Sequence, residues 1–386
     1  MTSHHASRPF VRILVALAVA LFVSPARADE TTGTWTGEVG VQGNYYWETS
    51  TRVIAPEVRF RLTSPDGTDV RAEYLVDSIT SASLAAGVVE DIRFTETRHQ
   101  VTVGAGHEFD LGEAQLRLDA STRISHEPDY LATGVTLAGT LSLAQRCTLI
   151  GMALTYIHDD VGSVVRGSQP REGGGRDLSD RGRVGQLEGF TLGLSLSQIL
   201  TSQLVASFGY DLVYNWGYLQ NPYRGVSIEG VVRPEDHPDE RLRHSLYGRV
   251  ALYVPETRTA FHALYRFYVD GWDLAAVTPE GRIYQEIGDL ITLRLRYRFY
   301  SQTRSFFYRA PDQYTADDPF VTNDPKMQDF SSHLVGAHAR VGMEFLERTF
   351  LGFAHEGEVW FSFDYWWQSS RFGNGVIAQA GLRVPF

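Results

Sequence analysis

The sequence predicts an all-β chain, a transmembrane antiparallel up-and-down β-barrel of about 16 strands, with 14 to 18 as the outer bounds. Three observations carry this. Apolar side chains alternate with polar or charged ones at period two in segment after segment, as expected where one strand face meets lipid and the other a wet lumen. Past the first residues no stretch of about 18 apolar residues occurs, which excludes helical spans. The long connections all fall on one side of the strand map, as the loops of a barrel do.

The N-terminal residues set the compartment. Arg8 and Arg12 supply a positive start, Val11 to Val23 is apolar apart from Arg12, and Ala26-Arg27-Ala28 before Asp29 forms a small-x-small cleavage site. Residues 1–28 are therefore expected to be a cleaved signal peptide, with 29–386 as one barrel domain in a bacterial outer membrane. The apolar run is too short to span a bilayer. Cys147 is the only cysteine, so no lipidation site follows the leader and no internal disulfide is available.

Composition narrows the partners. The chain carries 35 basic and 46 acidic side chains, a formal net charge of −11, and loss of Arg8, Arg12 and Arg27 with the leader makes it more acidic. Nucleic acid is not an expected partner at that balance. Lys326 is the only lysine, so nearly every cation is a guanidinium, suited to two-pronged pairing with carboxylates.

Strands are expected near 34–48, 51–63, 68–79, 97–108, 114–126, 129–142, 146–160 and 187–199. Eight more follow near 203–217, 240–253, 258–270, 272–287, 289–303, 331–346, 358–368 and 376–386. Leu116, Leu118, Ala120 and Ile124 oppose Arg117, Asp119 and Arg123 in one of them. In another, Leu293, Leu295, Tyr297 and Phe299 oppose Arg294, Arg296 and Arg298. Near the end, Val359, Phe361, Phe363, Tyr365 and Trp367 oppose Ser362, Asp364 and Gln368. The last strand sets Val376, Ala378, Ala380, Leu382, Val384 and Phe386 against Gln379 and Arg383. Phe386, Val384 and Leu382 form the terminal pattern expected of a substrate of the barrel-insertion machinery.

Compact turns such as Ser64-Pro65-Asp66-Gly67, Leu143 to Arg146 and Val254-Pro255-Glu256 fit the periplasmic end. The outer loops are expected near 160–186, 217–239 and 304–330, and only 347–357 is long for a periplasmic turn. Tyr45-Tyr46-Trp47, Tyr214 with Trp216, Tyr268 with Trp272, and Trp366-Trp367 resemble an aromatic girdle, although aromatic residues favour any strand.

Three constellations bear on chemistry. Arg294, Arg296 and Arg298, joined by Arg59, Arg61, Arg117, Arg123, Arg243, Arg249 and Arg266, are expected to face the lumen. Asp69, Glu73, Asp77 and Asp119 share that polar face, so the lumen is either crossed by arginine–carboxylate pairs or lined by a ladder selective for anions. His158, Asp159 and Asp160 close a strand, where they would serve as ligands of a divalent cation or as a solvated strand end. The loop from Arg171 to Arg183 has no metal or phosphate spacing and reads as mobile surface. Of the histidines, His126, His262, His333 and His338 lie on separate strands or turns with no nucleophile motif beside them, so a hydrolase is not expected.

Several runs recur together: Asn44-Tyr45-Tyr46, Asp77-Ser78-Ile79-Thr80-Ser81-Ala82-Ser83, and Phe94-Thr95-Glu96-Thr97-Arg98-His99. Further along stand Asn221-Pro222-Tyr223-Arg224, Tyr265-Arg266-Phe267-Tyr268 with Gly271-Trp272, and Arg298-Phe299-Tyr300-Ser301-Gln302 before Phe307-Tyr308. On these runs the chain, from about residue 40 to its end, resembles the bacterial outer-membrane family catalogued as domain of unknown function 3570. The resemblance implies an outer-membrane barrel and carries over no catalytic residue.

The leading expectation is a channel or conduit for small solutes, because this strand number leaves an interior wider than side chains fill. Residues 80–92 are expected to narrow the pore. A non-conducting surface-binding or scaffold barrel is the alternative, and an outer-membrane hydrolase a distant third. Outer-membrane lipid is an expected partner; no cofactor is expected.

Overall fold

A strand that is oily on one face and charged on the other satisfies both faces only in a closed sheet, where no backbone donor is left bare in hydrocarbon. The computed structural model closes in this way. It describes residues 34–49, 51–81, 94–164, 181–222, 224–310, 313–370 and 373–386. The expected leader, residues 1–28, lies outside these, as does most of the expected pore-narrowing segment 80–92.

The strands are β1 (Thr36–Glu48), β2 (Thr51–Thr63), β3 (Thr68–Ser81), β4 (Phe94–Asp110), β5 (Gln115–His126) and β6 (Tyr130–Leu143). They continue with β7 (Thr148–Val164), β8 (Arg181–Ile199), β9 (Leu204–Gly217), β10 (Gly225–Ile228), β11 (Val231–Pro234) and β12 (Glu240–Val254). The last are β13 (Thr259–Asp270), β14 (Ala275–Ile287), β15 (Ile291–Gln302), β16 (Phe330–Gly342), β17 (Glu358–Gln368) and β18 (Gly375–Pro385). All but β10 and β11 form one closed antiparallel barrel of 16 strands in sequence order. β18 seals against β1 from Glu38↔Pro385 to Glu48↔Gly375.

Each barrel strand answers to one expected segment. Two differences have clear causes. β7 and β8 pair on to Val164↔Arg181 across a register shift at Val161/Gly162, so the sheet reaches into the expected loop 160–186. β16 stops at Gly342 rather than 346, because Met343 turns away and Met343 N–H bonds Gly357 O at 3.0 Å. The residues between hold two short 3-10 turns, Glu344–Leu346 and Gly352–Ala354, which account for the length of that connection.

The outward face is predominantly oily. Val41, Ile54, Val58, Val101, Ile124, Met152, Leu194, Phe208, Leu246, Ile283, Leu295 and Phe361 all stand exposed on it, Phe208 and Leu295 at 60%. Transfer of each such side chain into hydrocarbon is favourable by about 1.5–3 kcal/mol, so the barrel exterior requires a lipid belt. The inward face carries the polar partners in register, such as Arg59↔Glu73 and Asp77↔Arg98.

The girdle expected from sequence splits by alternation. Tyr45 and Trp47 are exposed on the face of Val41, and Trp367 on that of Phe361, and Tyr214 and Trp216 stack at 5.1 Å on the face of Phe208. Tyr46 and Trp366 point inward, where their rings stack at 6.4 Å and 22° across the β1–β18–β17 wall. Tyr268 also points inward, to Asp270 at 2.6 Å. Trp272 is buried at 2% in the loops. Tyr46, Trp366, Tyr268 and Trp272 are therefore not girdle residues.

Candidate functional site

The end where β1 starts and β18 finishes has short turns apart from 343–357, and the opposite end carries the longest connections. The described residues of two of these, 218–239 and 303–329, fold together into a cap. Val226 and Ile228 of β10 pack with Tyr314 and Val321, and Asp236 pairs with Val321 as an isolated bridge. Trp272, Phe307 and Met327 form a second core with Leu219, Tyr308 and Phe320. Glu235, 3% exposed, accepts Thr322 Oγ1 at 2.9 Å and Asn323 N–H at 2.8 Å. Arg224 pairs with Asp324 at 2.5 Å. Arg241 grips Asp270 through Nε at 2.9 Å and Nη2 at 2.5 Å, with its guanidinium 4.1 Å from the Trp272 ring centroid.

The cap is latched to the barrel wall from inside. Gln302, at the end of β15 and on the face of Arg298, donates from Nε2 to Lys326 O at 2.8 Å and Gln328 O at 2.6 Å. Asp324 accepts from Lys326 N–H at 2.9 Å and fixes the turn Pro325–Met327. Lys326, in this connection, thereby lines the lumen cavity.

The lumen has two unlike halves. On the β2–β5 side, charges are matched. Asp69, 3% exposed, lies 3.1 Å from Arg71 and 3.8 Å from Arg61, and is hydrogen-bonded by Arg117. Asp119 takes Arg71 and, at 2.8 Å, Arg117. Arg59 pairs with Glu57 and lies 3.6 Å from Glu73. Asp77 holds Arg98 at 2.7 Å from Nε. Arg59, Arg61, Arg71, Glu73 and Asp119 help to wall a space of about 460 Å³.

On the β9–β17 side the balance fails. A cavity of about 850 Å³ is lined by Arg249, Arg266, Arg298 and Lys326, with Glu280 and Glu48 as its carboxylates. Among the described residues neither Arg249 nor Arg298 makes an ion pair. Glu280 is engaged by Arg282. Arg296 is matched, by Asp364 at 2.7 Å and 2.6 Å, and Arg294 has a buried Nε without a hydrogen-bond partner. Tyr46, Tyr247, Tyr300 and Trp366 supply aromatic surface to the same cavity.

All of Arg59, Arg61, Glu73, Arg117, Asp119, Arg123, Arg294, Arg296 and Arg298 face the lumen, as the alternation requires. The structure brings Arg61, Arg117 and Asp119 into one matched cluster around Asp69, pairs Arg59 with Glu57 and Glu73 beside it, and leaves Arg298 in the open cavity. Among the described residues Arg123 has no ion pair. Leu382 and Val384 face outward. Phe386 closes the seam through Gly37 N–H to its carbonyl at 2.7 Å and its own N–H to Gly37 O at 2.8 Å, and its ring occupies the space that a Cβ on Gly37 would need.

The metal grouping His158, Asp159 and Asp160 is corrected, because neighbours on a strand point to opposite faces. Asp159 faces the lumen and accepts Tyr130 Oη at 2.6 Å, whereas His158 faces outward, 2.7 Å from Glu188. Among the histidines, His262 and His338 face inward with rings against Tyr284 and Trp360, while His126 and His333 face outward. Sequence reasoning missed Tyr46, Trp366, Tyr300 and Gln302 as lumen residues. Period-two bookkeeping from Trp47, Trp367 and Arg298 would have found them.

A closed 16-stranded sheet with an oily exterior, a charged interior and long connections at one end defines a transmembrane β-barrel of the outer-membrane kind. Within that class the chain belongs to the family described as Protein of unknown function (DUF3570), which matches residues 89–338. The matched region includes the Asn221, Tyr265 and Arg298 runs and excludes Asn44 to Tyr46 and Asp77 to Ser83. No curated protein sequence matches the chain. Among solved structures, OprD of Pseudomonas aeruginosa is 7% identical with a TM-score of 0.43, over 91% of this chain and 95% of that one. A bacterial polysaccharide outer membrane secretin is 8% identical at 0.47, over 91% and 98%. The ferric enterobactin receptor PfeA of Pseudomonas aeruginosa, as a mutant, is 11% identical at 0.46, over 87% of this chain and 54% of that one.

Proposed function

We propose that the protein is a conduit for small solutes in the bacterial outer membrane, exported by residues 1–28 and inserted through the strand that ends at Phe386. It performs no chemistry on what passes. The observation that carries this reading is the cavity of about 850 Å³ inside the wall: side chains and the cap segment narrow the lumen without filling it, as a barrel of this strand number allows. Lipid meets the oily belt, and the cap faces the outside.

Purified protein in planar bilayers tests this. Discrete current steps at modest voltage are expected. A folded, inserted barrel that passes no current at any voltage would overturn the conduit. It would favour the second reading, a surface-binding barrel, for which the ordered cap with its Trp272–Phe307–Met327 core is the supporting feature.

A further inference from the structure

We infer that the larger lumen cavity is a binding site for small organic anions that carry a flat ring, of the aromatic carboxylate class; its use in solute passage rests on the conduit reading. Three observations converge. Arg249, Arg266 and Arg298 reach one cavity from β12, β13 and β15, and Lys326 is set beside them by the Gln302 latch. Among the described residues, Arg249 and Arg298 make no hydrogen bond or ion pair, and Arg266 donates to a neutral partner, Ser245 Oγ, at 2.7 Å. Glu280 is already engaged by Arg282.

Cations gathered in this way repel one another unless an anion joins them. The opposite half of the lumen shows what matching looks like here, with Asp69 shared among Arg61, Arg71 and Arg117. A guanidinium presents two parallel donors to a carboxylate, which makes that headgroup the fitting counter-charge. In the same cavity, the stacked rings of Tyr46 and Trp366 offer a flat face. A volume of about 850 Å³ accommodates a single-ring ligand together with water.

The test is calorimetric titration of the detergent-purified full chain with benzoate, acetate, inorganic phosphate and benzylamine. Benzoate is expected to bind at least tenfold more tightly than acetate or phosphate, and benzylamine not at all. Arg298→Gln and Arg266→Gln should each weaken benzoate about tenfold, and Trp366→Leu should shrink its advantage over acetate. The fold of each variant is checked by its heat-shifted gel mobility. Absent benzoate binding to the folded protein, equal binding of benzylamine, or unchanged affinity in both arginine variants overturns the site. Phosphate binding as well as benzoate overturns the ring requirement. Bilayer current is scored separately: binding without conductance removes the conduit and keeps the site, and conductance without binding does the reverse.

Discussion

Arg296 and Asp364 meet directly over Gly336. The three are in register on β15, β16 and β17, and Asp364 Oδ1 occupies the space that a Cβ on Gly336 would fill. A two-pronged pair thus spans three strands because the middle position has no side chain. Gly336→Ala is expected to force the pair apart and destabilise the barrel by about 1–3 kcal/mol. Arg296→Gln, which leaves a carboxylate of 1% exposure unmatched, should cost about 3 kcal/mol. Urea unfolding in lipid vesicles measures both, and an unchanged midpoint for both would contradict the structural role given to the pair.

The latch at Gln302 predicts a pore effect. Gln302→Ala removes both hydrogen bonds that hold the Pro325–Met327 turn against the wall. Single-channel conductance should rise, with more open-state noise, while barrel stability changes by about 1 kcal/mol or less.

Charge matching on the β2–β5 side predicts a selectivity effect. Asp69→Asn releases Arg61, Arg71 and Arg117 from their shared carboxylate. The reversal potential in a salt gradient should move towards anions. Arg298→Gln should move it the other way. Shifts of the same sign in the two variants would refute the division of the lumen into matched and unmatched halves.

The cap predicts a pH effect. Burial against Trp272 holds the His237 imidazole down, at about 4 against the usual 6.5. Between those values the unfolded segment takes a proton that the packed cap refuses. The contribution of His237 is therefore full above about 6.5 and declines as the pH falls towards 4. Glu235, raised first by burial and facing Arg224 and Asp324, has the opposite sign: its contribution is lost as the pH rises above the ordinary carboxyl range. Arg224 and Arg241 also press the imidazole down, and Asp324 opposes them. His237→Phe should remove the acid-side loss alone. Hydrogen exchange of amides 218–239 should then show a difference between variant and parent that widens from pH 7 to pH 5.

Phe386 predicts an assembly effect. Its ring covers Gly37 and lies 6.4 Å from that of Phe60, so it packs the seam between last and first strands. Phe386→Ala should lower the yield of heat-shifted, closed barrel, and Gly37→Val should do the same from the other side of the seam.

Strand number, facing and closure were legible in the chain because they depend on a local rule. Successive side chains of a strand point to opposite faces, and the two media differ so strongly that Leu295 and Arg296 cannot exchange places. The same rule, applied to aromatic residues, separates Trp367 from Trp366 and Tyr45 from Tyr46; reading them as pairs concealed that. It also separates Asp159 from His158 and Asp160.

What the sequence by itself determined is which side chains look into the lumen, since that follows from the alternation within each strand. Only the tertiary structure decided which of those charges are matched. Arg298 and Arg296 are two residues apart and equivalent in pattern, yet Arg296 pairs with Asp364 across Gly336, whereas Glu280, the carboxylate in register with Arg298, is taken by Arg282. Pairing of this kind depends on the register between strands, on the glycine that lets one side chain pass over its neighbour, and on where the cap brings Lys326. Those are distances between remote parts of the chain, and local periodicity does not encode them.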